Sequence, residues 1–131
     1  MPNDSRWKQR FQNFEKAYLL LEDSLQIDSP SILEKAGIIQ FFEISFELAW
    51  KVLKNYLEED GFNVRSPRET IKKAFQSELI KDGHVWIEAL DNRNLTVHTY
   101  DKVIAEEVYH EISLNYFPFL RELYYNLKER K

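Results

Sequence analysis

The chain has 131 residues, of which 44% are hydrophobic and 31% are charged, and its formal net charge is −4. Length and composition together predict one globular domain over residues 1–131 and exclude a disordered chain. The chain contains no cysteine, which excludes disulfide bonds, thiol catalysis and cysteine metal sites.

Hydropathy and charge restrict the location of the protein and its partners. No apolar run approaches the roughly 20 residues that a membrane span requires, and the first residues lack signal-peptide character. We therefore expect a soluble cytoplasmic protein with no membrane partner. Because the net charge is negative, nucleic-acid binding would need a local basic patch. The best patch consists of Arg65, Arg68, Lys72, Lys73 and Lys81, for which a solvated helix face is the simpler explanation.

The first half of the chain predicts two long helices. Asp4 or Ser5 can cap the first, whose apolar stripe is Trp7, Phe11, Phe14, Tyr18, Leu21 and Leu25. Ser29 is the expected N-cap of the second, with Pro30 in its first turn, and this helix should end near Glu59. The apolar stripe of the second helix is Ile39, Phe42, Phe46, Ala49, Leu53 and Tyr56.

The second half predicts a short third helix, a fourth helix and a long last helix. Ser66 and Glu69 have the spacing of a capping box, and Ile71, Ala74, Phe75 and Leu79 form the apolar face of the third helix. The fourth helix carries Trp86, Leu90, Arg93 and Val97 on one core-facing stripe and ends at a break over residues 99–101. Asp101 can cap the last helix.

Pro118 should kink the last helix, because proline cannot donate a hydrogen bond to the carbonyl of Leu114. This helix also carries more aromatic side chains than we expect a bundle core to absorb, which predicts an aromatic surface for a partner or for a second copy of the chain. With only three glycines and four prolines in the chain, we predict an all-α fold: an antiparallel four-helix bundle with one additional short helix.

The segment from Arg93 to Asp101 combines a cation, an amide, an imidazole and a phenol. Arg93 could hold a phosphate with its planar fork of donors, Asn94 could position a polar group, and His98 could transfer a proton near neutral pH. Such a set could cleave RNA without a metal, through attack of a 2′-hydroxyl on the adjacent phosphate. The structural alternative, which is commoner for these residue types, pairs Arg93 with a buried carboxylate while His98 caps the helix end. On a straight helix Arg93 and His98 are about 140° apart, so convergence requires the helix to loosen near Thr99.

Glu43, Glu47 and Lys51 recur at a spacing of four on the second helix. They could form a solvated face with a Glu47–Lys51 ion pair, or Glu43 or Glu47 could orient Arg93. Without cysteine, a metal site would need three widely separated histidines or several carboxylates, and the chain has no glycine-rich loop for phosphates. We therefore expect no metal and no cofactor.

Three segments together resemble one known family. They are Phe46–Lys51 (FELAWK), Ser66–Glu69 (SPRE) and, above all, Arg93–Asp101 (RNLTVHTYD). Over nearly its whole length the chain resembles the nucleotidyltransferase substrate-binding protein family of the HEPN superfamily. The resemblance implies a helical bundle that forms a homodimer and pairs with a minimal nucleotidyltransferase protein in a two-protein module.

The resemblance also implies roles for individual residues. Arg93, Asn94 and His98 match the motif of metal-independent RNase toxins, and Tyr100 matches a tyrosine that the partner adenylylates to silence the toxin. In a dimer, two copies of Arg93 and His98 would line one cleft and supply both an acid and a base. An older interpretation makes such a chain a non-catalytic substrate-binding or nucleotide-binding subunit, and a plain structural bundle is a third hypothesis. Nothing in the chain resembles the catalytic motif of the transferase itself.

Overall fold

A computed structural model describes residues 5–93 and 98–131. Over these ranges the regular secondary structure is helical: α1 Arg6–Ser24, α2 Ile32–Glu59, α3 Pro67–Gln76, α4 Gly83–Asn92, α5 Lys102–Glu111 and α6 Phe117–Arg130. A π-helical turn over Ile112–Tyr116 joins α5 to α6. These two helices therefore correspond to the single long last helix of the prediction, and the all-α bundle is confirmed.

The long helices pack in the alternating directions expected of a bundle. Trp7 at the start of α1 contacts Tyr56 near the end of α2, with ring centroids 5.1 Å apart, so α1 and α2 are antiparallel. On the other side of α1, Phe11 stacks on Tyr124 of α6, at a centroid distance of 5.7 Å. The apolar stripes of these helices meet in one contiguous core.

The core absorbs most of the aromatic residues of the last helix, contrary to the expectation of an aromatic partner surface. Tyr116, Phe119 and Tyr124 are buried, whereas Tyr125 is 47% exposed. The ring of Tyr18 in α1 stacks on Tyr124 at a centroid distance of 4.4 Å. Because α1 supplies aromatic rings opposite those of α6, ring stacking fills a space that aliphatic side chains would leave partly empty.

The start of α2 differs from the prediction, because Ser31 rather than Ser29 is the N-cap. The Ser31 hydroxyl accepts a hydrogen bond from the Glu34 backbone N–H at 3.1 Å, and the Glu34 carboxylate accepts one from the Ser31 backbone N–H at 2.9 Å. This reciprocal capping box satisfies two N–H groups that have no partner inside the helix. Ser29 instead adopts a left-handed conformation with φ of 47° in the preceding turn.

The end of α4 also differs from the prediction, because the helix stops at Asn92. Arg93 therefore does not continue a core-facing stripe, and its side chain is exposed. Asp91 and Asn92 are weak helix formers, and each uses its side chain in a tertiary contact, with Arg68 and Tyr116 respectively. These two contacts connect the last turn of α4 to α3 and to the π-helical turn.

Candidate functional site

Arg93 directly follows α4, at the point where the end of this helix contacts α3. The Arg93 backbone N–H donates to the carbonyl of Leu90 and closes a last tight turn. Two residues earlier, Asp91 forms an ion pair with Arg68 of α3. The backbone that carries Arg93 is therefore held both by its own helix and by a neighbouring one.

His98 and Tyr100 are brought together in the turn that precedes α5. The Nδ1 atom of His98 lies 3.4 Å from the hydroxyl oxygen of Tyr100, and the tautomer of the imidazole decides which of the two donates. The two rings meet edge to face at a centroid distance of 5.9 Å. The Tyr100 side chain is 81% exposed, whereas His98 is only partly exposed.

Asp101 holds this turn against the start of α5, which confirms the predicted N-cap. Its carboxylate oxygen Oδ1 accepts hydrogen bonds from the backbone N–H groups of Val103, at 3.0 Å, and Ile104, at 3.3 Å. The Asp101 backbone N–H in turn donates to the carbonyl of His98 at 3.0 Å. The positions of His98 and Tyr100 are thus coupled to the cap of α5.

Asn94, the remaining residue of the predicted site, lies outside the described residues, together with residues 95–97. Arg93 and His98 flank this stretch, one at the end of α4 and the other before α5. The assignment of Arg93, Asn94 and His98 to a common site therefore stays a prediction.

The residues predicted to support Arg93 are Glu43, Glu47 and Lys51, and all three lie on α2. Glu47 accepts a hydrogen bond from the indole Nε1 of Trp50 at 3.1 Å. Glu43 is exposed and Lys51 is partly buried. Among the described residues the ion pairs of lysine and arginine are Lys35–Glu106, Lys54–Glu58 and Arg68–Asp91, so the predicted Glu47–Lys51 pair is not formed.

Arg93 lines two clefts, one on each side of the end of α4. The first cleft, with a volume of about 490 Å³, lies between α2, α4, α5 and the π-helical turn. The second, with a volume of about 440 Å³, lies between the start of α3 and the end of α4 and is also lined by Ser66 and Arg68. The Arg93 side chain therefore borders both clefts, of which the first is a largely apolar recess and the second a polar groove.

Arg68 lines the second cleft together with Arg93, a proximity that the sequence interpretation did not predict. It was assigned to a basic patch with a solvated helix face as the simpler explanation. The structure gives it a carboxylate partner, Asp91, and a place on the wall of the second cleft. The spacing of 25 residues between Arg68 and Arg93 carries no local signal of this proximity, which arises from the packing of α3 on α4.

Two other kinds of feature are absent from the described part of the chain. Residues 5–93 and 98–131 contain no group of three or more histidine, aspartate or glutamate side chains placed to hold a metal ion. No helix in the same ranges combines the length and the apolar character that a membrane crossing requires.

Comparison with known proteins identifies relatives over most of the chain. A family model described as nucleotidyltransferase substrate binding protein like matches residues 9–129. A Haemophilus influenzae protein named probable ribonuclease HepT is 33% identical over 111 residues, which is 78% of this chain and 76% of that protein.

Two solved structures share the fold. A crystal structure from Thermus thermophilus matches with a TM-score of 0.75 and 32% identity, and the match covers 89% of this chain and 97% of that one. A structure from Haemophilus influenzae, described as revealing the fold of a substrate binding domain of a nucleotidyltransferase, matches with a TM-score of 0.80 and 30% identity. That match covers 90% of this chain and 98% of the other. Because the family model spans nearly the whole chain, this protein belongs to the nucleotidyltransferase substrate binding protein like family.

Proposed function

We propose that this protein is the HEPN-type partner of a minimal nucleotidyltransferase in a cytoplasmic two-protein module, and that it acts as a metal-independent RNase toxin. Family membership and the relative named as a probable ribonuclease support the proposal. The observation that carries it is the turn in which the His98 imidazole and the exposed Tyr100 hydroxyl lie 3.4 Å apart, directly before a capped helix. This turn offers a proton-transfer group and a modifiable hydroxyl at one accessible place.

In the proposed reaction, the 2′-oxygen of a ribose attacks the adjacent phosphorus and the bond from phosphorus to the next 5′-oxygen breaks. A neutral His98 takes the proton of the 2′-hydroxyl, and a protonated His98 gives a proton to the leaving 5′-oxygen. The products are a 2′,3′-cyclic phosphate and a free 5′-hydroxyl. Arg93 neutralises the charge that develops on the phosphate, and Asn94 positions it.

The reaction needs one acid and one base, whereas each chain supplies one His98. We therefore place the site in a cleft between two copies of the chain, where two Arg93 and two His98 side chains meet across a two-fold axis. The second copy also concentrates positive charge locally, which the net charge of −4 conceals. The homodimer is thus part of the proposed catalytic unit.

Modification of Tyr100 is the proposed means of silencing the toxin. Its hydroxyl oxygen would attack the α-phosphorus of ATP in the active site of the nucleotidyltransferase, releasing pyrophosphate and leaving AMP on the tyrosine. The 81% exposure of Tyr100 makes it accessible to such a partner. AMP attached beside His98 would add bulk and negative charge where the RNA phosphate has to bind.

An RNA-cleavage assay in the presence of a chelator tests the catalytic proposal. We expect His98→Ala to lower the rate by about 100-fold or more, because it removes general acid–base catalysis. His84→Ala is the matched control, since His84 is an exposed histidine at the start of α4, and it should cleave like the unmodified protein. Equal cleavage by all three proteins, or none by any of them, contradicts a catalytic His98.

Mass spectrometry after incubation with the partner nucleotidyltransferase and ATP tests the silencing proposal. We expect one AMP adduct on Tyr100, together with loss of RNA cleavage. Tyr100→Phe should carry no adduct and should stay active in the presence of the partner. Tyr125→Phe, which changes another exposed tyrosine, should still be modified. An adduct elsewhere, or none, removes Tyr100 as the switch.

A second candidate function is a non-catalytic nucleotide-binding or substrate-binding subunit of the transferase complex. The description of the Haemophilus influenzae structure as a substrate binding domain favours it, as does the apolar recess beside Arg93. The cleavage assay separates the two candidates, because a binding subunit would hold a nucleotide without cleaving RNA.

A further inference from the structure

We propose that the recess between α2, α4 and α5 is a nucleobase pocket that selects a base carrying an amino group, guanine above all. The inference deepens the proposed function, on which it rests, by naming the base that adjoins the phosphate held by Arg93.

The size and floor of the recess suit a planar aromatic ligand. Its volume of about 490 Å³ lies within the range of about 300–1,000 Å³ that is typical of small-molecule sites. The floor is apolar and consists of Phe42, Ala89, Val108, Ile112 and Tyr116. A base buries apolar faces and presents its polar atoms only at its edge, so it matches an apolar floor with a polar rim.

The wall of the recess contains the π-helical turn, whose first and last residues, Ile112 and Tyr116, both line it. A π-turn widens a helix locally and is frequent at functional sites. Here the widening lies at the recess and is the only π-helical turn among the described residues. This is an observation independent of the shape of the recess.

Hydrogen bonds fix the Tyr116 side chain at the bottom. The Asn92 amide Nδ2 donates to the Tyr116 hydroxyl oxygen at 3.1 Å, and that hydroxyl donates to the Glu88 carboxylate at 3.1 Å. Because the hydroxyl accepts from Asn92 and donates to Glu88 at the same time, these two hydrogen bonds fix its orientation. The floor is therefore formed before a ligand arrives, which reduces the entropy lost on binding.

The rim has cationic and anionic sides. Arg93, at the end of α4, can take a phosphate, whereas Glu107 and Glu111 approach from α5. One oxygen of Glu111 accepts a hydrogen bond from the Asn115 amide at 3.2 Å, which leaves its other oxygen as an acceptor. His110 also lies at the rim, with its Nε2 atom 3.3 Å from Glu106.

The two rim carboxylates determine the preferred base. A carboxylate only accepts hydrogen bonds, so the edge of the base that faces it must donate. Guanine presents two adjacent donors, its N1–H and its amino group, which match the two oxygens of the Glu107 carboxylate. Adenine and cytosine present an amino group only, and uracil presents a single N3–H. The expected order of affinity is GMP, then AMP and CMP, then UMP.

NMR titration of the full chain with GMP and with UMP tests the pocket. We expect GMP to shift the backbone amide signals of Ala89, Arg93 and residues 112–116, and to bind more tightly than UMP. Changing both carboxylates, Glu107→Gln with Glu111→Gln, should weaken GMP binding by about tenfold or more, because hydrogen bonds to charged groups are lost. UMP binding should change less than about twofold. Glu122→Gln, at a different cavity, is the control and should leave both affinities unchanged.

Each result has a distinct meaning. Three outcomes contradict the proposal that the recess is a guanine-selective pocket. They are equal affinity for GMP and UMP, absence of binding, and an undiminished GMP affinity in the double variant. RNA cleavage that depends on His98 without such GMP binding leaves the RNase proposal standing and removes only the pocket. Carboxylate-dependent GMP binding without any RNA cleavage supports the pocket and removes the RNase proposal.

Discussion

Gly83 allows α3 and α4 to pack closely, because it has no side chain at the point where Phe75 of α3 contacts the start of α4. The Phe75 ring, which the apolar pattern assigned to the core, is 53% exposed and lies against Gly83. A Cβ atom added at Gly83 would lie 2.9 Å from Cγ of Phe75 and 3.0 Å from its Cβ. These atoms are close to the Phe75 backbone and cannot swing away freely, so the start of α4 depends on the absence of a side chain at this position.

We expect Gly83→Ala to lower the free energy of unfolding by about 1–3 kcal/mol, because the new methyl group overpacks the α3–α4 junction. Urea denaturation followed by circular dichroism measures this change. Gly37→Ala provides the matched control inside α2, where an added Cβ would meet no atom within 4 Å. It should raise the free energy of unfolding by about 0.5–1 kcal/mol through helix propensity. Equal effects of the two substitutions would contradict the packing role of Gly83.

The N-terminus of α5 links the stability of a helix to the geometry of the candidate site. Asp101 caps this helix with two hydrogen bonds and also binds the carbonyl of His98 through its backbone. Loss of the cap frees the first turn of α5 and, with it, the turn that carries His98 and Tyr100. The conformation of the turn that carries His98 and Tyr100 therefore depends on the N-cap of α5 as well as on the residues of the turn itself.

Asp101→Ala should cost about 1 kcal/mol of stability and should speed hydrogen exchange at the backbone amides of Val103 and Ile104. It should also lower RNA cleavage, if the turn carries the catalytic histidine. Ser31→Ala removes a cap of similar type at the start of α2 and serves as the control. It should cost similar stability with no change in exchange at Val103. Unchanged exchange in Asp101→Ala would contradict the capping role.

The whole bundle is held by a core in which tyrosines are buried with their hydroxyl groups hydrogen-bonded to carboxylates. Burial raises the pKa of Tyr116 and of Tyr124 to about 12 and raises that of Tyr18 further still. Hydrogen bonds to Glu22 and Glu15 add to the shifts of Tyr18 and Tyr124. Because ionisation is disfavoured in the folded state, the folded protein retains protons at a pH where the unfolded chain has lost them.

Stability should therefore fall as the pH rises from about 10, the ordinary pKa of tyrosine, towards about 12. Below this range both states are protonated, so the contribution of the three tyrosines is fully present. Within it, each buried tyrosine lowers the free energy of unfolding by up to about 1.4 kcal/mol per pH unit. Urea denaturation at a series of pH values measures the slope.

Tyr116→Phe tests whether the buried tyrosines cause this loss of stability. Between pH about 10 and 12, the free energy of unfolding of this variant should fall less steeply with pH, because one of the three buried tyrosines is removed. Tyr125→Phe is the control, because Tyr125 is 47% exposed, and it should leave the slope as it is. A slope that is identical in the Tyr116→Phe variant would show that this buried tyrosine does not govern the alkaline loss of stability.

Local rules were enough to predict most of the fold. The apolar spacing that begins at Trp7 and Phe11 identified the buried face of α1, and the caps at Ser66 and Asp101 identified the starts of α3 and α5. Pro118 marked the irregularity of the last helix, which takes the form of a π-helical turn just before it. These features are predictable because each depends on residues within one or two turns of one another.

Contacts between distant parts of the chain decided the rest. The contacts of Asp91 with Arg68, of Asn92 with Tyr116 and of Phe75 with Gly83 each join different elements. Arg93, His98 and Tyr100 stand out in the sequence by their chemistry, and the roles proposed for them rest on a family resemblance. The recess beside Arg93 is different, because residues far apart in the chain, such as Phe42 and Val108, meet there only when the helices pack. The periodicity of a helix specifies which face is buried, but the space left between helices depends on how their side chains fit together.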